Sequence, residues 1–466
     1  MTTQAWLESV IHSKTDVGLR EQLKLVFFLS LPAILSQLST IVMEYIDASM
    51  VGSLGAEASA SIGLVATTTW MFGGICTAVA SGFSVQVAHL YGAKKKKEAE
   101  DVLRQAFVAC AFFGLLALTV GCGISRNLPQ WLGGNKDIVD DAYLYFLVFA
   151  FSLPIYILYH LLSSMLRCSG NMKVPSVMSI TICAMDVVFN FFFIFPSREI
   201  PFLGMEVTCP GLGLGVLGAA LGTLSAWCVG FVSLLVYISS SRSQLRLNLH
   251  GGLMPENRVI KKAVMIGLPI GMERIISCGA QITSTIIVAP LGTVAIASNA
   301  FGITIESLCY MPGYGVADAA TTLIGQSMGA DRKDLTRRFS YITLGMGVCI
   351  MTAFAAIMYA FAPDLMALMS PDESVQHLTA SVLRLEAFAE PLFATSIVCY
   401  GIFVGTGNTI IPSIINFSSI WVVRIPLAAF LAGTYGLMGV WIAMATELCV
   451  RGLVLLARLV TKLGKL

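Results

Sequence analysis

Long apolar segments separated by short polar connections run along almost the whole chain. An α-helix that crosses a bilayer needs about 20 predominantly apolar residues. The pattern therefore predicts an all-α membrane protein with twelve transmembrane helices. The predicted spans are 25–49, 58–82, 104–125, 140–164, 173–195, 214–238, 262–287, 295–318, 338–361, 377–401, 409–432 and 436–459.

The pattern repeats in the second half of the chain. Pro32 recurs as Pro269, and several Gly-containing turns recur at the same offset in residue number. Gly215 matches Gly436 at a shorter offset, so the first half carries an insertion near 197–212. Because six spans per half is an even number, both halves enter the membrane in the same direction. This predicts a parallel repeat about an axis along the membrane normal, which is typical of secondary transporters.

The repeat divides the chain into two six-helix lobes. We predict a leader at 1–24, an N-lobe at 25–238, a linker at 239–261 and a C-lobe at 262–466. In the leader, Trp6, Leu7, Val10 and Ile11 share one helical face. This amphipathic segment either lies along the membrane surface or is a frayed tail.

Composition and charge support a membrane protein and orient it. The chain is 56% hydrophobic, and its 12% of charged residues compares with about 25% in soluble domains. With the N-terminus in the cytoplasm, 22 of the 29 Lys and Arg residues fall in inside segments and 3 in outside segments. The positive-inside rule then places both termini in the cytoplasm, with the protein in the plasma (inner) membrane. A net charge of +2 indicates no nucleic-acid partner, and the twelve cysteines indicate neither disulfides nor zinc.

A polar stripe interrupts the first span. Gln37, Thr40, Glu44 and Asp47 fall at i, i+3, i+7 and i+10, so they lie on one helical face. A carboxylate at mid-bilayer costs about 2.5–3.5 kcal/mol on insertion scales, so it must face a protein or water-filled interior. Asp47 is either the residue that exchanges a proton or small cation in a transporter, or a carboxylate satisfied by a neighbouring helix.

Further charges lie in the second half. Glu386 and Glu390 share a face of the tenth span, and with Glu273 and Arg424 they predict a second polar centre, either functional or structural. Tyr310 and Met311 either line a cleft or face lipid. Pro32 and Pro391 are predicted hinges, because proline interrupts helical hydrogen bonding.

The sequence resembles the multidrug and toxic compound extrusion (MATE) family. The resemblance covers about residues 20 to 460 and depends on the order and spacing of short motifs. These motifs are SLPAILSQLSTIVMEYIDASMVGSLG, VAHLYGAKKKKEAE, LRCSGNMKVPS, TLIGQSMGADRKDLTRR, GTGNTIIPS and VVRIPLA. The resemblance implies a V-shaped cleft between two lobes and export of organic compounds driven by inward Na+ or H+, with Asp47 at the position of the family's aspartate in the first span.

The fifth span departs from the family pattern. Members often carry Asn-x-x-x-Asp there, whereas this chain has the reverse order, Asp186-x-x-x-Asn190. The i,i+4 spacing still places both side chains on one face, where they can flank a cation or hydrogen-bond Asp47. The resemblance thus implies a coupling site at Asp47, Asp186, Asn190 and nearby Glu44, with Na+ possible at the first three. The offset that relates Pro32 to Pro269 puts Ser284 at the position of Asp47, so the lobes are not chemically equivalent.

We expect an antiporter that exports small organic, often cationic, compounds in exchange for H+ or Na+ by alternating access. We expect no cofactor, membrane lipids as surroundings and a monomer. The alternative is a flippase of lipids or lipid-linked precursors, which basic residues inside the cleft would favour. A channel or scaffold is a third reading. No nucleophile, metal or phosphate motif in a loop indicates an enzyme.

Overall fold

The computed structural model describes residues 3–13, 17–202, 205–240, 243–248 and 256–464, without the side chains of 198–202 and 205–209. Residues 1–2 and 14–16 of the predicted leader, 241–242 and 249–255 of the predicted linker, and the last two residues lie outside the described part. So do three of the basic residues that oriented the chain, Lys14, Arg242 and Lys465.

Helices account for most of the described chain, as its apolar segments predict. They are α1 Thr3–Ile11, α2 Leu19–Gly52, α3 Ala56–Gly92, α4 Lys96–Ser125, α5 Leu128–Trp131, α6 Lys136–Cys168, α7 Lys173–Ile194, α8 Gly215–Ser239, α9 Asn257–Val288, α10 Thr293–Gly329, α11 Lys333–Met369, α12 Glu373–Glu386, α13 Glu390–Gly405, α14 Ile410–Ser418 and α15 Ile425–Leu463. A π-helical segment, Ser419–Arg424, joins α14 to α15.

Two breaks in the helices, a bend between α12 and α13 and a non-helical residue in the last long stretch, decide how many times the chain crosses the membrane. Within the described residues, ten helices are long and apolar enough to span a membrane, and the pair α12–α13, bent by 59°, makes an eleventh span. One of the ten is the 54-residue stretch Ile410–Leu463. It contains Gly436 in a non-helical conformation (φ 58°, ψ −138°), which divides it into two crossings. Twelve crossings result, as the apolar pattern predicts.

The backbone repeats with the sequence. Left-handed or otherwise positive φ angles, which most side chains avoid, occur at corresponding turns of the two halves. The pairs are Gly55 (123°) and Gly292 (99°), Lys94 (60°) and Asp331 (55°), Gly170 (94°) and Gly407 (75°), and Gly215 (55°) and Gly436 (58°). The first three pairs share the offset of Pro32 and Pro269, and the last pair has the shorter offset seen in the sequence. The repeat therefore extends to the conformation of single turns.

The extra residues near 197–212 form a β-hairpin. Strand β1 (Pro196–Phe202) pairs antiparallel with β2 (Met205–Leu212) between α7 and α8. This insertion accounts for the change in register, because the corresponding stretch of the second half continues directly through Gly436.

The two lobes pack tightly at one end, which we call the closed end. A Cβ at Gly92 would collide with the Gln326 carbonyl, and one at Gly329 with the His89 carbonyl. Side chains cross here as well: Gln326 Nε2 donates to the Cys168 carbonyl at 2.8 Å, and Arg167 pairs with Asp318 at 2.7 Å. Cross-lobe hydrogen bonds therefore concentrate at this end.

Helix α1 docks on the closed end. Leu7, Val10 and Ile11 are buried in a core that includes residues of both lobes. Gln4 donates to the Ser169 carbonyl of the N-lobe at 2.9 Å, and Arg332 of the C-lobe donates to the carbonyls of Ile11 and Ser13. The apolar face predicted for the leader is present, but it packs on protein. The expectation of a frayed tail is therefore wrong, because the closed end offers apolar surface that the sequence alone does not reveal.

Candidate functional site in the cleft

Three polar side chains meet inside the N-lobe. Asp186 and Asn190 lie one turn apart on α7, and both are fully buried. Asn190 Nδ2 lies 2.8 Å from Asp47 Oδ1 on α2 and 3.0 Å from Asp186 Oδ2, so one amide donates to both carboxylates. We call these residues the N-lobe triad. It joins the first and fifth spans at a single point.

Helix α8 fixes the position of Asn190 from behind. A Cβ at Gly222 would overlap Asn190 Oδ1, so only glycine leaves room for the amide. Because the amide nitrogen has two hydrogens, a fixed Asn190 holds the two carboxylates at a defined separation. The geometry of the triad thus depends on a backbone position that carries no charge.

Two acceptor oxygens of the triad make no hydrogen bond to the described residues. Neither Asp186 Oδ1 nor Asn190 Oδ1 has a hydrogen-bond partner among the described residues. Two carboxylates that share one donor disfavour the doubly ionised state, which a bound proton or cation relieves. Carboxylate and amide oxygens are ligands that hard cations accept. Across the described chain, no group of three or more His, Cys, Asp and Glu residues is arranged to hold a metal ion.

The rest of the polar stripe on α2 divides between different environments. Thr40 donates to the carbonyl of Ser36 at 3.1 Å, within its own helix. Glu44 is exposed and interacts electrostatically with Asp47, and also with Tyr310 across the cleft. Gln37 interacts with Asp318 near the closed end. Only Asp47 of the four contacts the α7 pair directly.

The C-lobe contains a separate buried group of charges. Glu386, Glu390 and Glu447 are fully buried, and Glu306 is 6% exposed. Arg424 interacts with Glu306 and Glu386, while Arg451 Nε lies 3.1 Å from Glu447 Oε1. Glu390 interacts electrostatically with Glu306 and Glu386, so it belongs to the same buried cluster as Arg424.

Glu273 has other neighbours. It accepts a hydrogen bond from Ser277 at 3.4 Å and interacts with Arg274 and Tyr400. Glu306 and Glu447, which are not among the residues predicted for the second centre, interact with the arginines of the cluster instead. The available signal for both was a carboxylate within an apolar span.

The remaining predicted residues are Tyr310, Met311 and the two predicted hinges. Tyr310 and Met311 are half-buried on α10, and the Tyr310 ring packs edge-on against Phe393 at 5.5 Å between centroids. Pro391 lies in the first turn of α13, directly after the 59° bend. Helix α2 continues through Pro32 without interruption.

Two candidate residues escaped sequence reasoning. Asp318 lies at the edge of a predicted span and pairs with Arg167 of the other lobe. Gly222 has no sequence signal, because one glycine among 42 does not reveal which side chain it faces.

A known family model matches each half of the chain separately. The MatE family model matches residues 32–192 and again 269–430, so the two matches begin at Pro32 and Pro269, the pair that relates the halves. The chain belongs to the MatE family. The resemblance drawn from the motifs is therefore confirmed, and the protein is a multi-pass membrane transporter of this family.

Individual relatives extend over nearly the whole chain. The protein is 25% identical to the probable multidrug resistance protein NorM of Thermotoga maritima, over 91% of this chain and 89% of that protein. It is 23% identical to the multidrug resistance protein MdtK of Yersinia pestis, over 92% and 93% respectively. A solved outward-facing multidrug resistance MATE family transporter matches with a TM-score of 0.89 at 19% identity, covering 100% of this chain and 98% of that one. This match confirms the predicted two-lobe helical fold.

Proposed function

We propose that this MatE-family transporter exports small organic, often cationic, compounds in exchange for H+ or Na+ by alternating access. The observation that carries the proposal is the N-lobe triad, in which Asn190 connects Asp47 and Asp186 beside the cleft. Relatives named as multidrug resistance proteins support the substrate class. The coupling step follows from linkage: ion and substrate prefer different states of the two lobes.

In this proposal the ion binds to the triad and the substrate to the cleft. A proton on Asp186 Oδ1, or Na+ shared by the unpartnered oxygens of Asp186 and Asn190, removes one of the two negative charges of the site and changes how α7 packs on α2. Glu44, Tyr310 and Met311, together with the C-lobe pair Glu390 and Arg424, contribute to the substrate side. Pro32 and Pro391 are the positions at which we expect the spans to flex.

The proposal includes the orientation of the protein in the membrane, its domain boundaries and its oligomeric state. The distribution of Lys and Arg supports cytoplasmic termini in an inner membrane, which places the closed end on the cytoplasmic side. The boundaries of leader, lobes and linker are kept as predicted from the repeat. We propose a monomer in contact with lipid, without a prosthetic group.

Proteoliposomes with an imposed gradient test the function. A fluorescent organic cation should accumulate when a pH or Na+ gradient is applied, and the accumulation should be lost in Asp47→Asn. The control is Asp141→Asn, which changes an exposed carboxylate on α6 and should transport normally. Gradient-driven accumulation by well-folded Asp47→Asn, or no response of the wild-type protein to either gradient, contradicts the proposal.

A second candidate function has one observation in its favour. Lipid or lipid-precursor flipping would use a basic residue inside the cleft, and Arg274 occupies such a position. Competition between anionic lipid and dye separates the two candidates.

A further inference from the structure

Helices α3 and α9 form one of the contacts between the lobes, which we call the seam, and they separate gradually along it. They run antiparallel. Toward the closed end, a Cβ at Gly82 would collide with the Ala263 carbonyl. Further along, a Cβ at Gly267 would lie 2.8 Å from the Ala78 carbonyl. The backbones are therefore in direct contact over this part of the seam.

Arg274 occupies the point where this backbone contact ends. At Gly74 the nearest atom of α9 is no longer backbone: an added Cβ would lie 3.1 Å from Arg274 Cγ. Glycine at position 74 leaves space for the aliphatic part of the arginine. Arg274 therefore lies between the lobes at the floor of the cleft, near the middle of α9.

The guanidinium of Arg274 makes no specific polar contact. The residue is exposed, and within the described part of the chain no hydrogen bond or salt bridge reaches it. Its electrostatic neighbours are Glu273 on the same helix and Tyr156, Tyr314 and Tyr400 from both lobes. Glu273 accepts a hydrogen bond from Ser277, and consecutive residues of a helix do not face each other, so it forms no ion pair with Arg274. The hydrogen-bond donors of the guanidinium are therefore left for a ligand.

An unpaired arginine at this depth needs an explanation. Charged residues within membrane spans are costly, and they mark substrate or ion pathways when they face a cavity. Arginine is charged throughout the physiological range, and its planar group binds carboxylate and phosphate through two parallel hydrogen bonds. The surrounding tyrosines supply aromatic surface and hydroxyl groups for the rest of a flat ligand.

We propose that Arg274 binds the anionic group of the transported compound, so that substrates carrying a carboxylate or phosphate on an aromatic body are recognised at the floor of the cleft. The inference rests on the proposed function, which it narrows: amphoteric compounds are preferred to pure cations. Glu44, exposed on the other lobe, then faces the cationic end. Specificity arises from having both signs of charge in one cleft.

A matched pair of dyes tests this assignment. Rhodamine B has a free carboxylate, and its ethyl ester is a cation with the same aromatic body. We expect wild-type protein to bind rhodamine B, as measured by fluorescence anisotropy. Arg274→Gln should raise the Kd for rhodamine B by about tenfold or more and leave the Kd for the ester unchanged, because charge-assisted hydrogen bonds are lost only for the acid. The Kd of Arg274→Lys for rhodamine B should lie between those of the wild type and of Arg274→Gln.

Two further variants keep the test decisive. Arg384→Gln is the control, since this exposed arginine stacks on Tyr359 away from the seam, and neither dye should respond to it. Gly74→Ala displaces the Arg274 side chain without removing its charge, and should also weaken rhodamine B selectively. Gly74→Ala therefore tests the Arg274 site if Arg274→Gln does not fold.

The outcomes separate the possible explanations. Equal loss of both dyes in Arg274→Gln, no loss of either, or equally weak binding of both by the wild type overturns the inference. If phosphatidylglycerol vesicles abolish wild-type binding of rhodamine B while zwitterionic phosphatidylcholine vesicles do not, the ligand of Arg274 is an anionic lipid headgroup and the flippase candidate gains support. Selective binding without gradient-driven export leaves the Arg274 site standing and contradicts the proposed function.

Discussion

The N-lobe triad depends on how a single amide is held. Asn190 contacts both carboxylates, and Gly222 prevents it from moving back toward α8. A hydrogen bond to a charged group contributes about 1.5–3 kcal/mol, and removing one partner leaves the other buried and unsatisfied. The three polar residues should therefore behave as one unit rather than as separate contributors.

A double-mutant cycle measures this coupling. We expect Asp47→Asn and Asp186→Asn each to abolish most ion-linked transport, and the double variant to lose little more, because the first substitution already removes the shared site. Transport rate and ion stoichiometry in proteoliposomes are the measurements. Glu44→Gln should be milder, since Glu44 is exposed and makes no hydrogen bond to Asn190. Losses that simply add would show that the carboxylates act independently.

The role of Gly222 has its own test. Gly222→Ala should impair gradient-driven transport by displacing Asn190, although no charged or polar group is changed. Overpacking of this kind costs about 1–3 kcal/mol, so the protein should still fold with a modestly lower Tm. Gly63→Ala is the matched control, because a Cβ there meets nothing within 4 Å. Normal transport by Gly222→Ala would show that the amide position is not critical.

Sequence reasoning reached part of this site. Asp47 stands out because polar residues at helical spacing are conspicuous in an apolar span, and the i,i+4 spacing places Asp186 and Asn190 on one face. Arg274 and Asp318 were present in the sequence as charges, but their meaning depends on how two distant helices approach each other. No local pattern encodes that approach, which is why the contacts of Arg274 and Asp318 with the other lobe appeared only in the structure.

At the scale of elements, α1 connects the lobes. Its apolar face is buried at the closed end, and Glu8 also pairs with Lys96 of the N-lobe at 2.9 Å. Since Gln4 binds the N-lobe and Arg332 binds the backbone at Ile11 and Ser13, opening of this end must break contacts with at least one lobe. The helix thus stabilises the conformation described here.

Weakening α1 should therefore favour opening of the closed end. We expect Leu7→Ala to cost about 2–5 kcal/mol of docking free energy, as truncation of a buried leucine does. Spin labels on Lys95→Cys and Lys333→Cys, in a background without accessible native cysteines, should report longer distances between the lobes. Ser9→Ala, on the exposed face, is the control. An unchanged distance distribution in Leu7→Ala would exclude a stabilising role for α1.

The pattern of apolar residues could not predict the hairpin or the broken helices. The offset between the halves located the insertion at 197–212, but not its β-structure. The apolar pattern likewise predicts a tenth span without showing the 59° bend between α12 and α13. Such features depend on packing between elements, whereas hydrophobic length reports only that a segment can cross the membrane.

At the scale of the whole molecule, the Arg167–Asp318 pair joins the lobes at 2.7 Å and is partly exposed. We expect Arg167→Gln to shift the equilibrium toward opening of the closed end by about 1 kcal/mol, the upper range for an exposed ion pair. The same spin-label pair measures this shift, with Arg384→Gln as the control. If Arg167→Gln instead lowers Tm without changing the distances, the pair stabilises the fold rather than one conformation.

Matching positive φ angles at Gly55 and Gly292, and at Gly170 and Gly407, have a consequence for the history of the molecule. They are what the duplication of one six-helix ancestor leaves behind. Asp47 and its counterpart Ser284 show that the copies have since diverged chemically. The turns with positive φ angles are kept in both lobes because each lobe must still change direction at the same places. If the proposed coupling mechanism holds, one ion site per transport cycle is enough, so the second copy was free to acquire a different use.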